Sequence, residues 1–92
     1  ENFLPEEIKL YPSYPNPFNP ITTISISIEN AALIKVNIYD VNGRLVDNLY
    51  NSRLSPGYHQ LAWHAINKAS GIYFVLLESA GQIITQKLVL MK

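Results

Sequence analysis

The sequence predicts an all-β fold, a small antiparallel immunoglobulin-like β-sandwich of about seven strands. Three observations carry that expectation. Apolar and polar residues alternate with period two in one stretch after another, as they do along half-buried strands. Strand starts near residues 22, 33, 44, 58, 71 and 83 recur every 11 to 14 residues, the rhythm of a sandwich and not of a βαβ unit. The chain has 92 residues, of which 48% are hydrophobic, enough for one core and one domain.

Taken in order, residues 7–11 read as a short first strand. Pro12, Pro15, Pro17 and Pro20 then fall within nine residues. Proline lacks the ladder N–H and fixes φ, so residues 11–20 are excluded from helix and from central strand. Tyr11, Tyr14 and Phe18 make this stretch too aromatic for a plain linker and predict that it is pinned onto the domain. Ile24, Ile26 and Ile28 alternate with Thr23, Ser25 and Ser27, and after a break at 29–32, Ile34, Val36 and Ile38 alternate with Lys35, Asn37 and Tyr39. Asn42-Gly43 predicts a type I′ hairpin turn capped by Asp40, with residues 44–50 as the return strand. Residues 51–57 read as a loop around Pro56-Gly57. Residues 58–64 place His59, Leu61 and Trp63 on one face and Gln60, Ala62 and His64 on the other. After a loop at 65–70, residues 71–78 are apolar on both faces, as in a central strand. Ala80-Gly81 turns the chain into a last strand over 83–91.

Charge and chemistry narrow the functional classes. Seven basic residues balance seven acidic ones, and the basic residues are scattered singly, so the surplus that displaces counterions from nucleic acid is missing. The chain has no cysteine, which removes disulfides and thiolate chemistry. Its longest apolar run, residues 72–77, falls far short of the roughly 20 residues of a membrane span. It opens on Glu1 and carries no signal peptide, so it reads as a piece of a longer protein. His59 and His64 are five apart on one strand and point to opposite faces, which prevents a shared metal. Asp40 is expected to cap its turn and not to bind calcium. No nucleophile, metal-protease or phosphate-loop pattern is present. Neither a catalytic residue nor a cofactor is expected. Tyr11, Tyr14, Tyr50 and Tyr58 are candidates for stacking on sugars, if they are not packed in the fold.

The segment Tyr14-Pro15-Asn16-Pro17-Phe18-Asn19-Pro20, followed by Thr22-Thr23-Ile24, is more specific. It resembles the opening of the C-terminal sorting domains of the type IX (Por) secretion system, type A. In the same order, residues 36–46 (VNIYDVNGRLV), Gly57-Tyr58-His59 with Trp63, Ser70-Gly71-Ile72-Tyr73-Phe74 and the closing residues 86–92 are similar to further segments of that family. The sequence departs from the pattern at His64, after the tryptophan, and in a short loop over 65–69.

The resemblance implies an address and not an enzyme. Residues 14–92 would form the sorting domain, with residues 1–13 a linker and first strand leading from an upstream passenger. The passenger would cross the periplasm of a Gram-negative cell, and the outer-membrane translocon would recognise the domain. A sortase-like peptidase would in some cases remove it at the surface. The residues matching the family's motifs, and hence candidates for recognition, are Tyr14, Pro15, Asn16, Pro17, Phe18, Asn19, Pro20, Gly71, Tyr73, Lys87, Leu88, Val89, Leu90 and Lys92. The heptad is also expected to serve the architecture, with Phe18 and Tyr14 covering one end of the sandwich and Asn16 and Asn19 closing Asx turns. A last strand at a sheet edge would offer free backbone groups to a partner by strand addition, guarded by Lys87 and Lys92. The competing reading is a non-catalytic carbohydrate-binding or spacer module attached to a secreted hydrolase.

Overall fold

A computed structural model describes residues 8–92. Seven antiparallel strands make two sheets: β1 (Ile8–Leu10), β2 (Ile21–Ile28), β3 (Ala32–Asp40), β4 (Leu45–Leu54), β5 (Gly57–His64), β6 (Gly71–Ser79) and β7 (Gln82–Leu90). One sheet has the order β1-β2-β5 and the other β4-β3-β6-β7, so the expected all-β sandwich is present. Of the anticipated first strand, Glu7 lies outside the described residues.

The core follows from the alternation. Ile24, Ile26 and Ile28 of β2 face Ile34, Val36 and Ile38 of β3 and Val75 and Leu77 of β6 in one cluster with Trp63, Leu88 and Leu90. Their removal from water, at about 25 cal/mol per Å² of apolar surface, is the main stabilising term in a chain with no disulfide. In an immunoglobulin domain a disulfide joins the sheets. Here, with no cysteine, an aromatic row closes one end of the core: Phe18 lies 5.5 Å from Trp63, and Trp63 lies 5.2 Å edge-on to Tyr73. The Tyr73 hydroxyl donates to the Ala69 carbonyl at 2.6 Å, tying β6 to the loop before it in the manner of a tyrosine corner.

Two local expectations are corrected. The Asn42-Gly43 turn is not a two-residue type I′ loop: Gly43 alone has positive φ there (80°), and the Gly43 N–H bonds the Asp40 carbonyl at 3.0 Å. This is a three-residue loop ending on a left-handed glycine, the alternative connection in which only the last position needs φ > 0. The two-residue turn with both centres at positive φ lies instead at Ala80-Gly81, between the paired Ser79 and Gln82. The second correction concerns residues 51–54, which continue β4 and pair with residues 32–35 of β3. Bulges at Val36/Asn37 and Ile38/Tyr39 absorb the register change in this hairpin. The tight 40–44 connection keeps β4 beside β3. A constant-type immunoglobulin sandwich differs, since there the fourth strand joins the first, second and fifth.

Candidate recognition surface

Residues 11–20 form a strap that crosses from one sheet to the other. It starts along β2, where Tyr14 and Thr23 exchange backbone hydrogen bonds of 3.1 and 3.0 Å. The Thr22 hydroxyl donates to the Pro15 carbonyl at 2.7 Å. The strap then reaches the outer side of β7: the Phe18 N–H donates to the Val89 carbonyl and the Met91 N–H to the Phe18 carbonyl, both at 2.9 Å. Between these contacts the Asn16 carboxamide acts as a short piece of neighbouring strand. It accepts from the Val89 N–H and donates to the Lys87 carbonyl, each at 3.0 Å. The expected Asx turn at Asn16 is therefore corrected, because its amide is spent on β7. Three of the strap's bonds, Tyr14-Pro15, Asn16-Pro17 and Asn19-Pro20, are cis.

The side chains of the heptad separate into two roles. Phe18, 2% exposed, fills the core end against Trp63. Tyr14, 80% exposed, does not cover the sandwich as expected; its backbone is bonded while its ring stands in solvent. Pro15, Asn16, Pro17 and Asn19 are exposed beside it. On the strands below, Leu88, Leu90 and Tyr73 are buried, Val89 is half-buried, and Gly71, Lys87 and Lys92 are exposed. Gly71 pairs with Leu90 and Tyr73 with Leu88, so the candidate residues of β6 and β7 are direct neighbours. Gly71 has φ of 154°, a conformation L side chains rarely adopt, and no packing contact demands it.

Asp40 and Trp63, from two further segments that carried the resemblance, lie at the same pole, whereas Gly57-Tyr58-His59 sits at the far end of β5, opposite residues 26–28 of β2. Asp40 pairs with Tyr73 at the end of β3. Its carboxylate accepts from the N–H groups of Arg44 and Asn42 at 3.0 and 2.9 Å, with the Arg44 guanidinium at 3.1 Å. The Arg44 N–H bond, helped by that of Asn42 and by the Arg44 charge, holds the Asp40 carboxyl below its ordinary value against a smaller opposing effect of desolvation. The expected capping role is thus in place. Trp63 Nε1 donates to Asp47 at 2.7 Å. The Lys92 ammonium donates to the Ile66 carbonyl at 2.6 Å, and the Lys92 N–H to Ser70 at 3.0 Å.

One contributor was missed in the sequence. The Gln86 carboxamide accepts from the Ser13 N–H at 2.9 Å and donates to the Tyr11 carbonyl at 2.7 Å, fastening the start of the strap. Its hydroxyl partner is Ser13 as well. A signal existed: Gln86 interrupts the inward series Ile84, Leu88, Leu90, where a polar group needs a partner. His59 bonds the Ser55 carbonyl at 2.7 Å, on the opposite face of β5 from His64.

The family comparison decides what this pole belongs to. Residues 13–91 match the family described as secretion system C-terminal sorting domain. The chain belongs to that family. It is a type IX sorting-signal domain, a kind of domain that is normally non-catalytic and that works with the secretion machinery. A fold match accompanies it in the crystal structure of dimeric latent PorU from Porphyromonas gingivalis, with a TM-score of 0.70 and 18% identity. That match covers 99% of this chain and 10% of the PorU chain, so this domain spans about a tenth of that protein's length. A search among curated proteins gave no match.

Proposed function

We propose that this domain is a type A address on an exported passenger, read by the outer-membrane translocon of the type IX system through the strap and β7 together. Residues 14–92 act as the sorting domain, and residues 1–13 connect it to the passenger. The reading rests above all on the Asn16 pincer and the Phe18 bridge, which weld the family's most specific segment to its closing strand. Recognition then uses one composite face: Tyr14, Pro15, Asn16, Pro17 and Asn19 from the strap, Gly71 from β6, and Lys87 and Lys92 beside them. Phe18, Pro20, Tyr73, Leu88, Val89 and Leu90 hold that face in shape. The passenger reaches the cell surface or the medium, and a sortase-like peptidase removes the domain in systems that cleave it, near or before residues 1–5.

The test is to fuse residues 1–92 behind a periplasmic reporter in a type IX-competent cell. The expected outcome is reporter at the surface or in the medium. Retention in the periplasm, with the fusion intact and folded, would overturn the proposal.

A further inference from the structure

A second surface, on the outward side of the β1-β2-β5 sheet, adjoins the sorting face and shares only Tyr14 with it. There Tyr11, Tyr14 and Tyr58 rise around a floor made by Thr23 and Ser25 of β2, with Gln60 of β5 on the rim, bordering an open groove of about 540 Å³. The floor residues point away from the core, yet Ser25 is only 7% exposed because the rings stand over it. Tyr58 is 60% exposed, and neither its ring nor that of Tyr14 joins the core cluster. The volume lies in the ordinary range for small-molecule sites.

We propose that this groove binds a neutral oligosaccharide, a binding function that stands beside the sorting role, with every lining residue except Tyr14 outside the proposed recognition face. The chemistry of the lining selects the ligand class. None of the residues around the groove is charged, so an anion meets no cation and a cation meets no carboxylate. The tyrosine faces suit the C–H faces of pyranose rings. The Thr23 and Ser25 hydroxyls and the Gln60 carboxamide both donate and accept, as sugar hydroxyls do. A proline-rich peptide, the other ligand of tyrosine-lined grooves, offers carbonyl acceptors but no N–H at its prolines, and would leave much of the acceptor capacity of these groups unused. The site is also held ready. Tyr11 packs edge-on to Tyr58 at 5.8 Å, its hydroxyl is hydrogen-bonded to Ser27 at 3.0 Å, and Gln60 donates to the Tyr58 hydroxyl at 3.3 Å. Rings already ordered lose little freedom on binding.

The experiment is a titration of the isotope-labelled 92-residue chain with cellohexaose, laminarihexaose and mannohexaose, followed by amide chemical shifts. The expected result is a cluster of shifts over residues 11–14, 23–25 and 58–60 with at least one of the three. Tyr58→Ala should weaken that binding about tenfold while the remaining resonances stay in place. Tyr58 lies outside the strap–β7 face, so this variant reads the groove separately from secretion. The proposal is overturned if none of the three sugars shifts this cluster up to millimolar concentration, or if octaproline shifts it and the sugars do not.

Discussion

At the scale of single residues, polar side chains do work usually done by backbone. Asn16 supplies both halves of a missing ladder rung to β7. Asn16→Ala should therefore cost about 1–2 kcal/mol for two exposed bonds, lowering the melting temperature by roughly 5–15 °C. Hydrogen exchange gives the sharper reading, since the Val89 amide should lose its protection while the Leu77 amide in the core keeps it. Asp40 predicts a pH effect. Its folded pKa is depressed, so its contribution is present above the unfolded value near 3.8 and is lost as pH falls through the lower folded value. Asp40→Asn should flatten that part of the acid limb of stability, measured by urea midpoints from neutral pH down to about pH 2; an unchanged pH slope would show that the turn does not depend on the charge.

At the scale of elements, β7 is an edge strand whose two halves differ. Val89, Met91 and the Lys87 carbonyl point outward and are taken by the strap. By the alternation of an antiparallel strand, the outward groups of Ile83 and Thr85 lie on the same side, where no neighbouring strand is present among the described residues. The free edge expected along the whole strand is thus confined to its first half. Prolines in the strap give a partner no template on the other half. If export uses strand addition, it uses residues 83–85. Thr85→Pro removes a donor the fold does not employ, so the variant should stay folded by circular dichroism and lose export; normal export would sink strand addition. Deleting residues 87–92 would be less discriminating, because it also removes the buried Leu88 and Leu90.

At the scale of the whole molecule, the strap adds a hydrogen-bonded tie between two sheets that no disulfide joins. Phe18 sits at the crossing, against Trp63, with Tyr73 behind. Phe18→Ala should cost about 3–5 kcal/mol through lost burial and a residual cavity, a large share of the 5–15 kcal/mol typical of a native domain. Urea denaturation measures it directly. The recognition face should fail with the fold, so Phe18→Ala ought to abolish export at temperatures where it melts and restore it when the culture is cooled.

Much of this was legible in the chain. Period-two alternation placed the core isoleucines, the turn signals placed six of the strand starts, and the heptad pointed to the family, because these are local properties that each segment carries alone. Which glycine or alanine takes the left-handed turn, and that residues 51–54 extend β4, depended on pairing with a distant partner. The role of the heptad was decided only in three dimensions. Its prolines determined what it could not be, helix or central strand. That Asn16 would turn to β7, more than 70 residues away, and that Tyr14 would leave the core for solvent, followed from where the opposite sheet's edge lay. Hydrogen-bond partners so far apart in sequence meet only after both sheets are packed, and no local pattern encodes that meeting.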